Sequence, residues 1–508
     1  MARRPARLHL LEPAHHLGGQ QLERGSPTVS KRAGLIDTTL RDGNQSLWAT
    51  RMTTDMMLPI LPAMDRAGYH SLEFMATVNM DVCVRFLGEN PWERIRRVRQ
   101  HVRHTPLRMM GMAYFFSISR VYPDEVVELF NKTAARAGIE HMWITAGMND
   151  VRTTEVGIRA AREAGCRTEG SIQFTISPMH TDEFFANAAA EFIALGVDAL
   201  IVKDAGGLLT PERAATLFPA LRQACGDVPI YCHSHCITGM GPAANIAAIQ
   251  HGASAIWTCT APLANGPSLP ADDAMTRSLR WQGYETGVDE EATAEIAAYF
   301  RDLAARLGKP TGTIAEYDPG YYVHQMPGGM LANFREQLAQ VGMSDRLAAV
   351  MEEMPRVRAE FGYPNVQTPF SQFIGTQALL NVVHGRYEIV PDEIRNYLLG
   401  YWGRTPAPVD QNLLDRVAQG EEPVTERPSA LAEPILDRVR KQHGPFHTDE
   451  DLLLATLFMP EVLEEMRASQ RKRARNNLSM ADAGSIAQLV REASKIPGVK
   501  HVRLTVPR

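Results

Sequence analysis

The 508-residue chain lacks a basic excess: 53 Lys and Arg face 58 Asp and Glu, for a net charge of −5. A dedicated nucleic-acid binder shows the opposite balance, so no nucleic-acid partner is expected. No apolar run approaches the ~18 residues that cross a bilayer, so no transmembrane segment is expected. Cysteine is scarce and scattered. Cys83, Cys166, Cys225, Cys232, Cys236 and Cys259 form no Cys-x-x-Cys pair. That argues against a disulfide framework and for reduced thiols in a cytoplasm. Aromatics make up only 7%, but 44% hydrophobic against 22% charged residues is an ordinary globular balance. Residues 1–33 begin Arg-rich, then carry Glu12, Pro13, Glu23 and Pro27 and no apolar signal core. They read as a flexible arm.

What is present is alternation. Strand-like runs occur at Gly34–Thr38, Ser71–Met75, Leu107–Met112, His141–Ala146, Ser171–Ser177, Asp198–Lys203, Pro229–His233 and Ser254–Thr258. Amphipathic stretches of helical length separate them, among them Pro123–Ala137, Thr181–Leu195 and Pro211–Ala224. Eight such units in about 250 residues predict an α/β fold, a closed (β/α)₈ TIM barrel. No Gly-rich dinucleotide fingerprint follows the first strand, which disfavours an open doubly wound sheet. From about Asp289 the strand signal fades. Helices are expected at Glu291–Leu307, Asn333–Val341, Asp345–Phe361, Gln372–His384, Pro391–Tyr401, Leu431–Gln442 and Thr448–Arg467. A last helix, Ser485–Lys495, and a strand, Val499–Val506, close the chain. The expected organisation is an arm (1–33), a barrel (34–288), a helical domain (289–468) and a tail (469–508).

Barrel enzymes keep their reactive groups at the C-terminal ends of the strands. There the chain places Arg41-Asp42-Gly43-Asn44-Gln45 after strand one, Lys203-Asp204 at strand six and His233-Ser234-His235 at strand seven. In an extended His-x-His both imidazoles share a face. Two imidazoles with the Asp42 carboxylate form a familiar divalent-metal donor set. Lys203 at a strand end has several chemistries open to it. It could form a Schiff base, act as a base, bind an anion, or react with carbon dioxide to give an anionic carbamate ligand.

The run Asp37-Thr38-Thr39-Leu40-Arg41-Asp42-Gly43-Asn44-Gln45-Ser46-Leu47-Trp48-Ala49-Thr50-Arg51 resembles the opening motif of biotin-dependent carboxyltransferases. That family includes the carboxyltransferase domain of pyruvate carboxylase, the oxaloacetate decarboxylase alpha subunit and the central subunit of transcarboxylase. Arg85-Phe86-Leu87, Met148-Asn149-Asp150, Lys203-Asp204, His233-Ser234-His235, Met326-Pro327-Gly328-Gly329-Met330 and Gly375-Thr376-Gln377 continue the resemblance to about residue 465. It implies a helical funnel domain over the barrel mouth. It also implies a divalent metal (Zn, Mn or Co) held by Asp42, a carbamylated Lys203, His233 and His235. Arg41 and Gln45 match residues that orient the 2-oxo acid and its enolate, so with Lys203 they are the expected catalytic residues; Arg41, Gln45, Asp81 and Met112 are the expected substrate-binding positions. No Met-Lys-Met biotinylation tripeptide occurs. Biotin is therefore expected on a separate carrier, with biotin carboxylase and carrier subunits as partners in a homo- or hetero-oligomer.

The departures from the family pattern cluster at the pocket. Met75-Ala76-Thr77-Val78 stands where the family has Trp-Gly-Gly-Ala. Met112 takes the place of an Arg that binds substrate, and Ser119 that of a Tyr. Thr145-Ala146-Gly147 replaces Phe-Asp-Ala, and Ala332 replaces a proton-shuttling Thr or Ser. A thioether cannot clamp a carboxylate as a guanidinium does. A different and more apolar acceptor is one reading, with Met75, Met80, Met110 and Met112 lining its pocket; the same methionines could instead fill the core. Another proton-transfer route is a second reading. Loss of carboxyl transfer with the metal retained is a third. Beside a carboxyltransferase subunit, the sequence thus leaves a biotin-independent lyase or decarboxylase of a 2-oxo or 3-hydroxy acid, and a non-catalytic scaffold.

Overall fold

A computed structural model describes residues 31–116, 120–325, 336, 338–340 and 342–473. The arm before Lys31, Ser119, the Met326–Met330 motif, Ala332, most of the helix expected at Asn333–Val341 and the tail from residue 474 lie outside the described residues.

Eight parallel strands close into a barrel in chain order: β1 (Gly34–Asp37), β2 (Ser71–Ala76), β3 (Leu107–Met110), β4 (His141–Thr145), β5 (Arg167–Gln173), β6 (Ala199–Asp204), β7 (Ile230–Ser234) and β8 (Ala255–Thr258). β8 pairs back onto β1, which seals the sheet. Alternate side chains point in and out. The inward row packs Ile36, Trp143, Ile201, Tyr231 and Trp257 into a lumenal core. Outward residues such as Leu35, Leu72, Leu107 and Val202 meet the surrounding helices in one larger core.

β5 differs from expectation. It starts at Arg167, four residues before the predicted Ser171, and ends at Gln173. Its first half, Arg167-Thr168-Glu169-Gly170, is polar and therefore lacks the apolar signal of a buried strand. Glu169 is nonetheless fully buried, because it faces into the lumen and pairs with Arg108 of β3.

The helices after the barrel divide into two groups. Residues of Leu347–Glu360, Phe370–His384, Asp392–Leu398 and Gln411–Ala418 build a core of their own around Val350, Met354, Phe370, Ile374 and Tyr397. The helix Glu290–Leu307 instead packs Ile296, Phe300 and Leu303 into the barrel's core. The chain then returns to the barrel. Leu436, Leu452, Leu453, Phe458 and Met466 join the barrel's core cluster too. Glu125 Oε1 accepts both Ile435 N–H (2.6 Å) and Leu436 N–H (2.8 Å), and Arg427 pairs with Asp124 (3.0 Å). The single helix expected at Thr448–Arg467 is broken. Asp449–Leu457 ends at Phe458, which is extended (φ −129°, ψ 150°), and a new helix starts at Pro460, where a proline is tolerated in a first turn.

Candidate metal centre and active site

β1 runs into a tight turn, Thr39–Gly43. Asp42 N–H donates to Thr38 O (2.8 Å) and Thr38 Oγ1 (3.2 Å). A Cβ on Gly43 would come within 2.9 Å of Leu263 O, so only glycine lets this turn press against the loop after β8. Beneath it, Asp37 accepts Thr39 N–H and Oγ1–H (3.1 and 2.6 Å), and Thr39 Oγ1 accepts Thr260 N–H (2.7 Å). Burial, reinforced by Asp272 and Glu73, pushes the Asp37 carboxyl up to about 8. It braces the turn rather than offering a ligand.

The turn delivers Asp42 to the barrel axis. Ser46 Oγ–H holds its Oδ1 (2.8 Å), leaving Oδ2 toward the site. Oδ2 lies 3.3 Å from His233 Nε2 and 3.4 Å from His235 Nε2, and the two Nε2 atoms are 3.2 Å apart. Ligand bonds of about 2.0–2.2 Å separate neighbouring donors by roughly 3–3.5 Å, so the triangle fits one divalent cation. His235 Nδ1 is 2.7 Å from Pro267 O, which places the ring proton on Nδ1 and leaves Nε2 free to ligate. Burial alone would raise the Asp42 carboxyl. Arg41, His235 and the imidazole hydrogen bonds outweigh it and hold Asp42 well below the carboxylate range.

Arg41 is buried beside this triangle. Its Nη1 pairs with Asp42 (2.8 Å), its Nε donates to Glu73 Oε1 (2.9 Å), and its Nη2 lies in ion-pair contact with the same oxygen (2.8 Å). Glu73 also accepts the indole N–H groups of Trp143 (3.0 Å) and Trp257. It is thus the hub that orients Arg41, and sequence reasoning missed it. Its signal was present: an acidic residue at an inward position of the otherwise apolar run Ser71–Ala76.

Lys203 sits on β6, in register with His233 of β7 and Gln173 of β5. Its Nζ rests on the Trp143 ring, 4.8 Å from the centroid. Burial and the neighbouring Arg41 lower its amine to about 8, against the pull of Asp42 and Glu73. Gln45 stands on the short helix Asn44–Trp48, exposed to solvent. Asp81 is turned away into an ion pair with Arg85 (2.8 Å). Met112 is fully buried and belongs to the large core, its backbone bracketed by Asn131 (2.9 and 2.8 Å). Met75 and Met80 are buried in the same core. Of the four methionines considered for a pocket, only Met110 is partly open, packed against the lumenal cluster. Cys236 is buried and adds no fourth donor to the triangle, since its neighbour's face carries the ligands.

Residues 32–299 match the family described as HMGL-like, and residues 321–496 match the conserved carboxylase domain. The second match runs past the boundary expected near residue 468. The chain is 38% identical over 436 residues to a pyruvate carboxylase subunit of Methanocaldococcus jannaschii, covering 84% of this chain and 76% of that protein. It is 33% identical over 440 residues to the methylmalonyl-CoA carboxyltransferase 5S subunit of Propionibacterium freudenreichii, covering 85% and 86%. Among solved structures, the carboxyl transferase domain of Rhizobium etli pyruvate carboxylase superposes with a TM-score of 0.80 at 29% identity, over 87% of this chain and 78% of that one.

Proposed function

The chain belongs to the carboxyltransferase family of the biotin-dependent carboxylases, and on that premise we propose that it moves a carboxyl group between carboxybiotin on a separate carrier and a 2-oxo acid. The observation that carries this reading is the convergence of Asp42, His233 and His235 beside the Arg41–Glu73 pair at the barrel mouth. In the forward step the N–CO₂ bond of carboxybiotin breaks and a C–CO₂ bond forms at the carbon next to the ketone. The proton lost from that carbon passes to the biotin nitrogen. A divalent cation held by Asp42, His233 and His235 supplies Lewis-acid stabilisation of the oxyanion that develops.

The chain's own groups do the rest. Arg41 is fixed from two sides, so its guanidinium stays charged and oriented where an enolate oxygen gains charge. Gln45 stands exposed at the mouth, where its amide can meet the acid. Lys203 joins the metal as a carbamate, formed when its neutral amine takes up carbon dioxide and releases a proton. An amine lowered to about 8 supports this, because an ammonium cannot react. Lys203→Ala removes a ligand in this reading and is expected to lower metal affinity by at least about 10- to 100-fold, the loss that even a group outside the ligand shell causes. Unchanged metal affinity on titration would remove the carbamate role.

Asp81 and Met112 keep structural roles in this reading, one in an ion pair and the other in the core. The functional unit has a barrel with its metal site at residues 34–288 and helices beyond, with carrier and biotin carboxylase subunits as partners in a cytoplasmic oligomer. Relatives that are carboxyltransferase subunits weigh against both the biotin-independent lyase and the scaffold. Transfer to a 2-oxo acid is expected only when a carboxylated biotin carrier is added. Turnover by the purified chain alone would overturn the proposal.

A further inference from the structure

Four arginines are buried among the described residues: Arg41, Arg94, Arg108 and Arg358. Three of them face a buried carboxylate. Arg41 has Asp42 and Glu73, Arg94 has Glu89 (2.6 Å), and Arg108 has Glu169. Arg358, on the helix Leu347–Glu360, is the exception. It is only 8% exposed, and no carboxylate pairs with it among the described residues. Its Nε donates to Pro364 O (2.9 Å), its Nη1 to Ile176 O (2.8 Å) and its Nη2 to Thr175 Oγ1 (2.9 Å). All three acceptors are neutral. A guanidinium carries five N–H donors, so two remain unspent. Burial pushes Arg358 down to about 10, with only the Tyr363 and Tyr397 phenols working against it. The stretch between Gln325 and Glu336 contains no Asp or Glu that could supply the missing charge. A buried charge without a counter-charge is costly.

Arg358 lines a cavity of about 330 Å³ between the barrel and the helical domain. That volume lies in the range of small-molecule sites. Ile176 and Pro178, in the connection after β5, form one wall; Met354, Val366 and Ile374 form another. Val323 is 70% exposed, so the cavity opens to solvent beside it. Burial lowers the His324 imidazole, which leaves Arg358 as the one fixed charge of the described lining. Thr175 and Ile176 also hold Gln325 (2.9 Å each), the last residue before the Met326 motif. None of Asp42, His233, His235 and Arg41 lines this cavity.

We propose that the cavity binds a small monocarboxylate with an apolar body. Its carboxylate takes the two unspent N–H groups of Arg358, and its hydrocarbon chain packs between Ile176 and Met354. The fourth buried arginine then gains the kind of partner that the other three already have. Hydrogen bonds between a guanidinium and a carboxylate are about twice as strong as those between neutral groups. The site is separate from the metal triangle, so neither this inference nor the carboxyltransferase reading depends on the other.

The test is a matched pair. Octanoate and 1-octanol have the same chain length and differ in charge. Calorimetric titration into the full chain is expected to show one octanoate per chain, with 1-octanol at least about tenfold weaker. Octanoate affinity is expected to be the same in Mn²⁺-loaded and chelator-stripped protein. Arg358→Gln removes the charge and keeps an N–H donor; it is expected to weaken octanoate at least about tenfold and leave 1-octanol unchanged. Val323→Trp, at an exposed position that does not threaten folding, is expected to narrow the opening and weaken both. No saturable octanoate binding, equal affinity for 1-octanol, or undiminished octanoate affinity in either variant would overturn the proposal. Octanoate binding that disappears with the metal would place the acid at the metal triangle and overturn it as well.

Discussion

Two assemblies of the same residue types sit in one barrel lumen. At the C-terminal end of the strands are Arg41, Asp42 and Glu73 with His233 and His235; toward the N-terminal end are Arg108 and Glu169 with His70 and His141. In the upper set the arginine binds its carboxylates from the side, and three donor atoms are left pointing at one centre. In the lower set the arginine occupies the middle. Arg108 pairs with Glu169, donates to Ser71 Oγ (2.9 Å) and contacts His141 Nδ1 (3.3 Å). His70 and His141 meet edge-on at 6.1 Å rather than converging. Burial outweighs Arg108 and Arg167 and raises the Glu169 carboxyl, whereas Asp42 is lowered. Composition therefore does not distinguish a candidate metal centre from a structural plug. Where the cation sits does.

The largest expected effect separates the two by function. His235→Ala should abolish stoichiometric metal binding and lower carboxyl transfer on the order of 1,000-fold, beyond the 10- to 100-fold typical of groups outside the ligand shell. His141→Ala should leave metal content unchanged by elemental analysis. Equal metal loss in both would erase the distinction.

The next effect separates them by stability. Arg108→Met strands a buried carboxylate and should cost about 3–5 kcal/mol in urea unfolding. Arg108→Met with Glu169→Leu should recover most of that, because replacing both partners by apolar groups leaves no unpaired charge. A double variant as unstable as the single would show that the lower pair does more than neutralise itself.

The smallest effect is a pH slope from the lower set. Burial and the neighbouring Arg108 depress His70 to about 4 and His141 to about 3. Unfolded imidazoles, near 6.5, therefore bind protons before the folded ones do. Stability present above about pH 6.5 is lost as pH falls toward about 4. His141→Gln should flatten that slope in denaturation series from pH 7 to 4. An unaltered slope would assign it to other groups.

Much of this was legible in the residues. The eight strands, their order and the placing of Asp42, Lys203, His233 and His235 at strand ends follow from alternation and spacing. The failures are equally specific. The polar start of β5 hid the first half of that strand because Arg108, which pairs with Glu169, stands 61 positions away. The role of Glu73 is not legible locally because its partners Arg41, Trp143 and Trp257 come from other strands and loops. The methionines could not be divided between pocket and core, since a thioether suits both and only packing assigns Met75, Met80 and Met112 to the interior. The helix at Thr448–Arg467 read as continuous because its periodicity survives the extended residue at Phe458.

By itself the sequence determined the period of each element, the face on which each side chain lies, and which donor types stand at the strand ends. These are local properties, set by backbone geometry over a few residues. Only the tertiary structure decided that Asp42, His233 and His235 converge, that Glu73 holds Arg41, and that Met75, Met80 and Met112 lie in the core. Each of those depends on closing the barrel. Closure brings residues nearly 200 positions apart within hydrogen-bonding distance, and it turns equal residue types into a candidate metal centre at one end and a buried plug at the other.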